Sequence, residues 1–159
     1  MKTKEKTYLR VLGMGAVAGM RAVYAPALIS HLLVKSPAGG LNFSRLHYLQ
    51  IPKVALGLKL AAGAELVGDK LPITPNRTVP SQLGVRIISG AVVGATVALA
   101  NNQSKIGGAL LGGLAAAAST YLFFYLRKNL VKTTGLPDTT FALLEDALAL
   151  AAGYQVAKG

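Results

Sequence analysis

The chain has 159 residues, of which 52% are hydrophobic and only 14% are charged, whereas an ordinary soluble domain carries about 25% charged residues. The absence of cysteine excludes disulfides, thiolate metal sites, iron–sulfur clusters and cysteine nucleophiles. With two histidines, His31 and His47, we expect neither a metal site nor a cofactor. The composition is typical of an integral membrane protein, and the length fits one domain, residues 1–159.

The net charge of +11 would suggest nucleic-acid binding in a soluble protein. Here the basic residues lie mostly in the N-terminal tail and between apolar runs, where the positive-inside bias and anionic headgroups place them. No basic stretch carries the interleaved aromatic residues of a single-strand binder. We therefore expect membrane lipids, including anionic ones, as partners, and no nucleic acid.

Apolar runs along the chain predict an all-α bundle of about five membrane-embedded helices. The first run contains Arg10, Arg21 and His31; it is too long for a signal-peptide core, and Pro26 should kink or break it. The second run is short for a full span and is the weakest member of the set. The predicted helices are 8–34, 52–69, 83–100, 105–127 and 139–157.

The connections between these runs contain residues that end or interrupt helices. Pro72, Pro75 and Pro80 prevent a continuous helix between the second and third runs. The stretch 106–126 of the fourth run has no charge and is the surest spanning segment. Gly135-Leu136-Pro137 precedes the fifth run, with Asp138 as a plausible N-cap.

The distribution of Lys and Arg gives an orientation. With five crossings, the side that holds the N-terminus carries more basic residues than the other side. By the positive-inside rule, we expect a cytoplasmic N-terminus in the bacterial cytoplasmic (inner) membrane. An odd number of crossings would place the C-terminus on the opposite side.

Charged residues inside the apolar helices are the candidates for chemistry. Each costs at least about 2.5 kcal/mol in hydrocarbon, so such residues normally face the bundle interior and are paired. Span parity brings most of them toward one membrane face. They form either a buried ion-pair network that fixes helix register, or a polar site for a proton, a cation or a small polar solute; contact with lipid headgroups is a third interpretation. The candidates are Arg21, Lys59, Glu65, Asp69, Arg86, Glu145 and Asp146.

Glycines at four-residue spacing predict close helix packing. Gly13-Met14-Gly15 with Gly19 resembles a dinucleotide-binding pattern, but no strand precedes it and no acid follows at the required distance. Small residues spaced by four instead allow helix backbones to approach each other. The predicted packing pairs are Gly15 with Gly19, Gly90 with Gly94, and Gly108 with Gly112.

Several of these motifs together resemble domain of unknown function family 4126, a family of small bacterial integral membrane proteins. The resemblance covers most of the chain and implies a membrane protein without an assigned reaction. The motifs are Gly19-Met20-Arg21-Ala22 with Pro26, Glu65-Leu66-Val67-Gly68-Asp69-Lys70-Leu71-Pro72, Arg86 with Ser89-Gly90-Ala91, and Leu144-Glu145-Asp146.

Two functional hypotheses remain open. The first is a small transporter or channel-like protein that uses the acid–arginine cluster. The second is a non-catalytic accessory or scaffold subunit of a larger membrane complex, or a homo-oligomer. An enzyme is less favoured, because no nucleophile–base motif or metal-ligand set stands out beside the carboxylates.

Overall fold

The computed structural model describes residues 2–68 and 78–158 and is all-helical. Asp69, a candidate site residue, lies outside the described residues. Two short 3-10 helices, Gly39–Leu41 and Arg45–Gln50, join α2 to α3. The α-helices are α1 (Lys2–Met20), α2 (Tyr24–Lys35), α3 (Pro52–Gly68), α4 (Pro80–Ala100), α5 (Lys105–Thr134) and α6 (Asp138–Lys158).

Antiparallel helices α4 and α5 pack backbone against backbone. A Cβ added at Gly90 would lie 2.5 Å from the carbonyl oxygen of Gly112, and one added at Gly94 would overlap the carbonyl oxygen of Gly108. The reciprocal additions at Gly108 and Gly112 meet the same two glycines. Glycine therefore allows an approach that any side chain would prevent.

Helix α1 packs parallel to α5 in the same way. A Cβ at Gly15 would lie 2.5 Å from the carbonyl oxygen of Gly112, and one at Gly19 would overlap the carbonyl oxygen of Ala116. Gly112 thus lies where α1, α4 and α5 meet. All of the glycines that the sequence singled out for packing lie at contacts among these three helices.

The first apolar run is a helical hairpin, so the prediction of a single helix over 8–34 is wrong. Helix α1 ends at Met20, and α2 runs back beside it from Tyr24. A Cβ on Gly153 of α6 would lie 3.4 Å from Val17 and 3.2 Å from Leu28. In one continuous helix those two residues would be roughly 16 Å apart along the axis.

Pro26 is not the cause of this reversal. It lies in the first turn of α2, where a proline replaces an N–H that has no partner within the helix. The chain instead breaks at residues 21–23, and polar side chains from other helices hold the break.

Both ends of the hairpin lie at one end of the bundle, which we call the N-terminal end. There the Tyr8 hydroxyl lies 3.7 Å from the Cβ position of Gly107, and Gly40 contacts the carbonyl of Leu99. Val156, near the end of α6, lies against Gly13. The start of α1 and the end of α6 are therefore at the same end, whereas five crossings would have separated them.

In the part of the chain that the structure describes, two helices, α4 and α5, are long and apolar enough to cross a membrane. Helix α5 continues seven residues beyond its predicted end, to a Gly135 cap with φ +68°, because Arg127, Lys128 and Lys132 end the apolar run without ending the helix. Its outward face exposes a row of large apolar side chains: Ile106, Leu110, Leu114, Leu122 and Leu126. Apolar exposure on this scale is typical of a surface that contacts a membrane or another protein.

Candidate functional site

The polar centre of the molecule is the break between α1 and α2, formed by Arg21, Ala22 and Val23. A helix end leaves backbone N–H or C=O groups without partners inside the helix. In lipid each such group must be satisfied by protein, so a break is tolerated only where it is buried or lines a cavity. At this break, side chains from α3, α4 and α5 supply the partners.

Glu65 of α3 holds the start of α2. Its Oε1 accepts a hydrogen bond from the backbone N–H of Ala22 at 2.7 Å, and its Oε2 accepts one from Val23 at 2.9 Å. Both donors are N–H groups that the broken helix cannot satisfy. The carboxylate also lies at the positive end of the α2 dipole, where negative charge is stabilised.

Arg86 of α4 holds the end of α1. Its guanidinium NH1 donates to the carbonyl oxygens of Gly19 at 2.9 Å and Met20 at 2.7 Å. The residue is only 2% exposed. A cation at this position complements the negative end of the α1 dipole, so the two ends of the break carry opposite and matching charges.

Hydroxyl groups satisfy further carbonyls beside the break. Thr120 Oγ1 donates to Gly19 at 3.0 Å, and Ser119 Oγ donates to Ala16 at 2.7 Å. Ser89 Oγ donates to the carbonyl of Ala22. These short side chains from α4 and α5 let the helices stay close while the break remains hydrogen-bonded.

Arg21, inside the break, is paired with Asp146 of α6. Its Nε donates to Asp146 Oδ1 at 2.7 Å, and its NH2 donates to the same oxygen. The side chains are 3% and 9% exposed. The other oxygen, Asp146 Oδ2, is buried and accepts no hydrogen bond within the described part of the chain, so this carboxylate retains an acceptor for a proton or a donor group.

The structure brings four of the candidate residues, Arg21, Glu65, Arg86 and Asp146, to the break. Glu145 is buried but faces Arg127, with its Oε2 3.9 Å from NH1. These two residues line a separate cavity of about 200 Å³ between α5 and α6. Lys59 is exposed on α3 and is not among the residues that hold the break.

Sequence reasoning missed several residues that matter here. The hydroxyl of Thr120 is a single polar atom in an apolar helix, and no spacing marks it. Ser89 appeared only as part of the family motif, without a role of its own. Arg127 directly follows the uncharged stretch 106–126 and was not among the candidates, but its Nε donates to Asp138 Oδ1 at 2.6 Å. Asp138 is the first residue of α6, so its carboxylate ties the start of α6 to α5.

Together these features define the class of protein. In the described part of the chain it is an all-α bundle with two helices apolar enough to cross a membrane, in which a broken helical hairpin is held by charged side chains from the surrounding helices.

The chain belongs to the family described as domain of unknown function (DUF4126), whose model matches residues 9–156. No functionally curated protein and no solved structure matches the chain.

Proposed function

We propose that this chain is an integral membrane protein of the bacterial cytoplasmic membrane, with both termini on the cytoplasmic side. The outward apolar face of α5 supports this location. The positive-inside rule supports the orientation, because basic residues concentrate at the N-terminal end of the bundle. Among residues 2–68 and 78–158, that end carries Lys4, Lys6, Arg10, Lys35, Arg45, Lys53 and Lys105, against Arg127, Lys128 and Lys132 at the opposite end.

We further propose that a proton, a cation or a small polar solute moves through the polar site at the break. The observation that carries this proposal is the break itself, with Glu65 and Arg86 bonded to its two ends. Membrane transporters typically place their sites at discontinuous helices, where helix ends meet charged groups. Ionisable residues inside membrane helices are expensive and usually functional.

The carboxylates give this site a means of responding to a bound charge. Asp146 holds Arg21 through one oxygen and keeps a second buried acceptor. A proton or cation that binds Asp146 competes with Arg21 for the same negative charge. Binding therefore weakens one of the contacts that position the hairpin, which couples occupancy to movement of α1 and α2.

The test is flux in proteoliposomes that contain the purified protein and an internal dye, pH-sensitive for protons or potassium-sensitive for potassium. An imposed proton or potassium gradient should dissipate faster than in protein-free vesicles. Glu65→Gln and Asp146→Asn should abolish most of that excess, whereas Glu5→Gln, an exposed acid at the start of α1, should leave it intact. Excess flux that survives both substitutions would show that the break is not the site.

An accessory or scaffold subunit is the second candidate, and α3 is the observation that favours it. This helix packs mainly on α2 and leaves Leu56, Leu60 and Val67 exposed. Added Cβ atoms at Gly57 and Gly63 would meet nothing within 4 Å. Native purification after mild solubilisation tests this alternative: a partner subunit or second copy should co-purify, and a monodisperse monomer would contradict it.

A further inference from the structure

A second feature lies away from the break, at the N-terminal end of the bundle. Helices α1, α2, α4 and α6 surround a cleft of about 480 Å³, which is within the usual range of small-molecule pockets, about 300–1,000 Å³. Its walls are mainly apolar, and its polar lining includes two cations. The apolar residues include Met14, Ile29, Leu33, Val97 and Val156, and the polar ones Arg10, Lys35 and Asn101.

The two cations of the cleft lie nearer the N-terminal end of the bundle than its deepest apolar residues, Met14 and Ile29. Lys35 is the last residue of α2, and Asn101 follows the last residue of α4. Both therefore lie at the level where the chain turns at the N-terminal end. Met14 and Ile29 lie more than a helical turn farther toward the break. The cleft thus offers positive charge at its mouth and an apolar surface behind it.

We propose that this cleft binds one anionic phospholipid, with the phosphate between Arg10 and Lys35 and the acyl chain along the apolar wall. Charge complementarity selects an anionic head, because basic residues at the cytoplasmic face attract anionic lipids. The depth of apolar wall behind the cations selects an amphiphile over a free phosphate ion. The cleft shares none of its lining residues with the contacts that hold the break.

The test is lipid binding to the full-length protein purified in a neutral detergent, followed by native mass spectrometry. We expect phosphatidylglycerol to bind in preference to phosphatidylcholine. Arg10→Gln and Lys35→Gln should each weaken phosphatidylglycerol binding by about fivefold. Ala100→Leu should weaken the binding of both lipids, because Ala100 lines the cleft and the larger side chain would fill it.

Lys53→Gln is the matched control, since Lys53 is exposed at the same end of the bundle but does not line the cleft. If Lys53→Gln weakened phosphatidylglycerol binding as much as Arg10→Gln and Lys35→Gln do, the effect would be general attraction to a basic surface, and the proposal would be overturned. Binding of phosphatidylglycerol that survives Arg10→Gln, Lys35→Gln and Ala100→Leu would also overturn it. If inorganic phosphate alone protected the protein from thermal unfolding as well as phosphatidylglycerol does, the two cations would bind a free anion and not a lipid.

This inference rests on the membrane location proposed above but not on transport. Extraction of the chain from membranes by salt or carbonate would refute the membrane location itself. A chain that needs detergent for extraction but binds both lipids equally would refute only the lipid site. Flux measurements leave the lipid site unaffected, because they test residues at the break.

Discussion

Glu65 and Arg86 hold opposite sides of one break in the backbone. The carboxylate of Glu65 receives the N–H groups of Ala22 and Val23 that begin α2, and the guanidinium of Arg86 donates to the Gly19 and Met20 carbonyls that end α1. Each charge opposes the partial charge of the helix end it contacts. The two residues come from α3 and α4, which follow the hairpin in the chain. The hairpin therefore depends on the correct placement of both helices.

Glu65→Gln should destabilise the fold by about 1–3 kcal/mol, because the amide can accept from only one of the two backbone donors and leaves the other unsatisfied. The apparent midpoint of thermal unfolding in detergent measures this change. Glu5→Gln is the control, since Glu5 is exposed in the first turn of α1. An unchanged midpoint for Glu65→Gln would mean that the carboxylate does not hold the break.

Arg86→Met should lower stability more than Arg86→Lys. Methionine removes both hydrogen bonds. The Met20 carbonyl loses its donor, at a cost of roughly 1–3 kcal/mol, whereas the Gly19 carbonyl keeps the Thr120 hydroxyl. Lysine keeps the positive charge at the end of α1, although it lacks the planar fork of arginine. Equal midpoints for the two variants would argue against a contribution from the helix dipole.

The Arg21–Asp146 pair should show strong coupling in a double-mutant cycle. Arg21→Gln or Asp146→Asn alone removes the charge pairing between these two buried side chains and should cost about 3–5 kcal/mol. The double variant should be clearly less destabilised than the sum of the two single changes. Additive effects would indicate that the two side chains act independently.

Gly112→Ala should destabilise the bundle, because an added Cβ would overlap the carbonyl of Gly90 and lie 3.0 Å from the Cα of Gly94. Forcing the helices apart in this way typically costs about 1–3 kcal/mol. Gly63→Ala is the matched control: nothing lies within 4 Å of its Cβ position, and alanine favours a helix over glycine by about 1 kcal/mol. A destabilised Gly63→Ala variant would point to a contact that covers α3.

The hairpin predicts that the first apolar run begins and ends on the same side of the membrane. The chain has no cysteine, so single-cysteine variants can be labelled without background. Thr3→Cys and Ser36→Cys should react with an impermeant maleimide from one side, and Lys132→Cys from the other. Labelling of Thr3→Cys and Ser36→Cys from opposite sides would contradict the hairpin and support a single spanning helix over 8–34.

Much of the secondary structure could be predicted because composition and breakers act locally. The observed bounds of α3, α4 and α6 lie within three residues of the predicted ones. The end of α5 was missed because charged residues outside the apolar phase remain good helix formers. The glycine pairs were recognisable because close approach requires small residues at a four-residue spacing.

The reversal at residues 21–23 could not be predicted, because no local signal there demands it. Arg21-Ala22-Val23 contains neither glycine nor proline, and the nearby Pro26 drew attention to the wrong position. The break is stable because Glu65 and Arg86, distant in sequence, satisfy its backbone groups. Tertiary contacts therefore override a run that hydropathy alone treats as one helix.

The sequence by itself determined the all-α class and the helix-packing glycines, and it proposed a short list of charges inside apolar helices as candidates. Those features follow from local composition, periodicity and the cost of placing charge in an apolar phase. Only the tertiary structure decided how the charges are used: Glu65 and Arg86 bind backbone groups, and Asp146 binds Arg21. The reason is geometric, since a charged side chain can satisfy either a partner charge or a broken backbone, and the choice depends on where the helices meet.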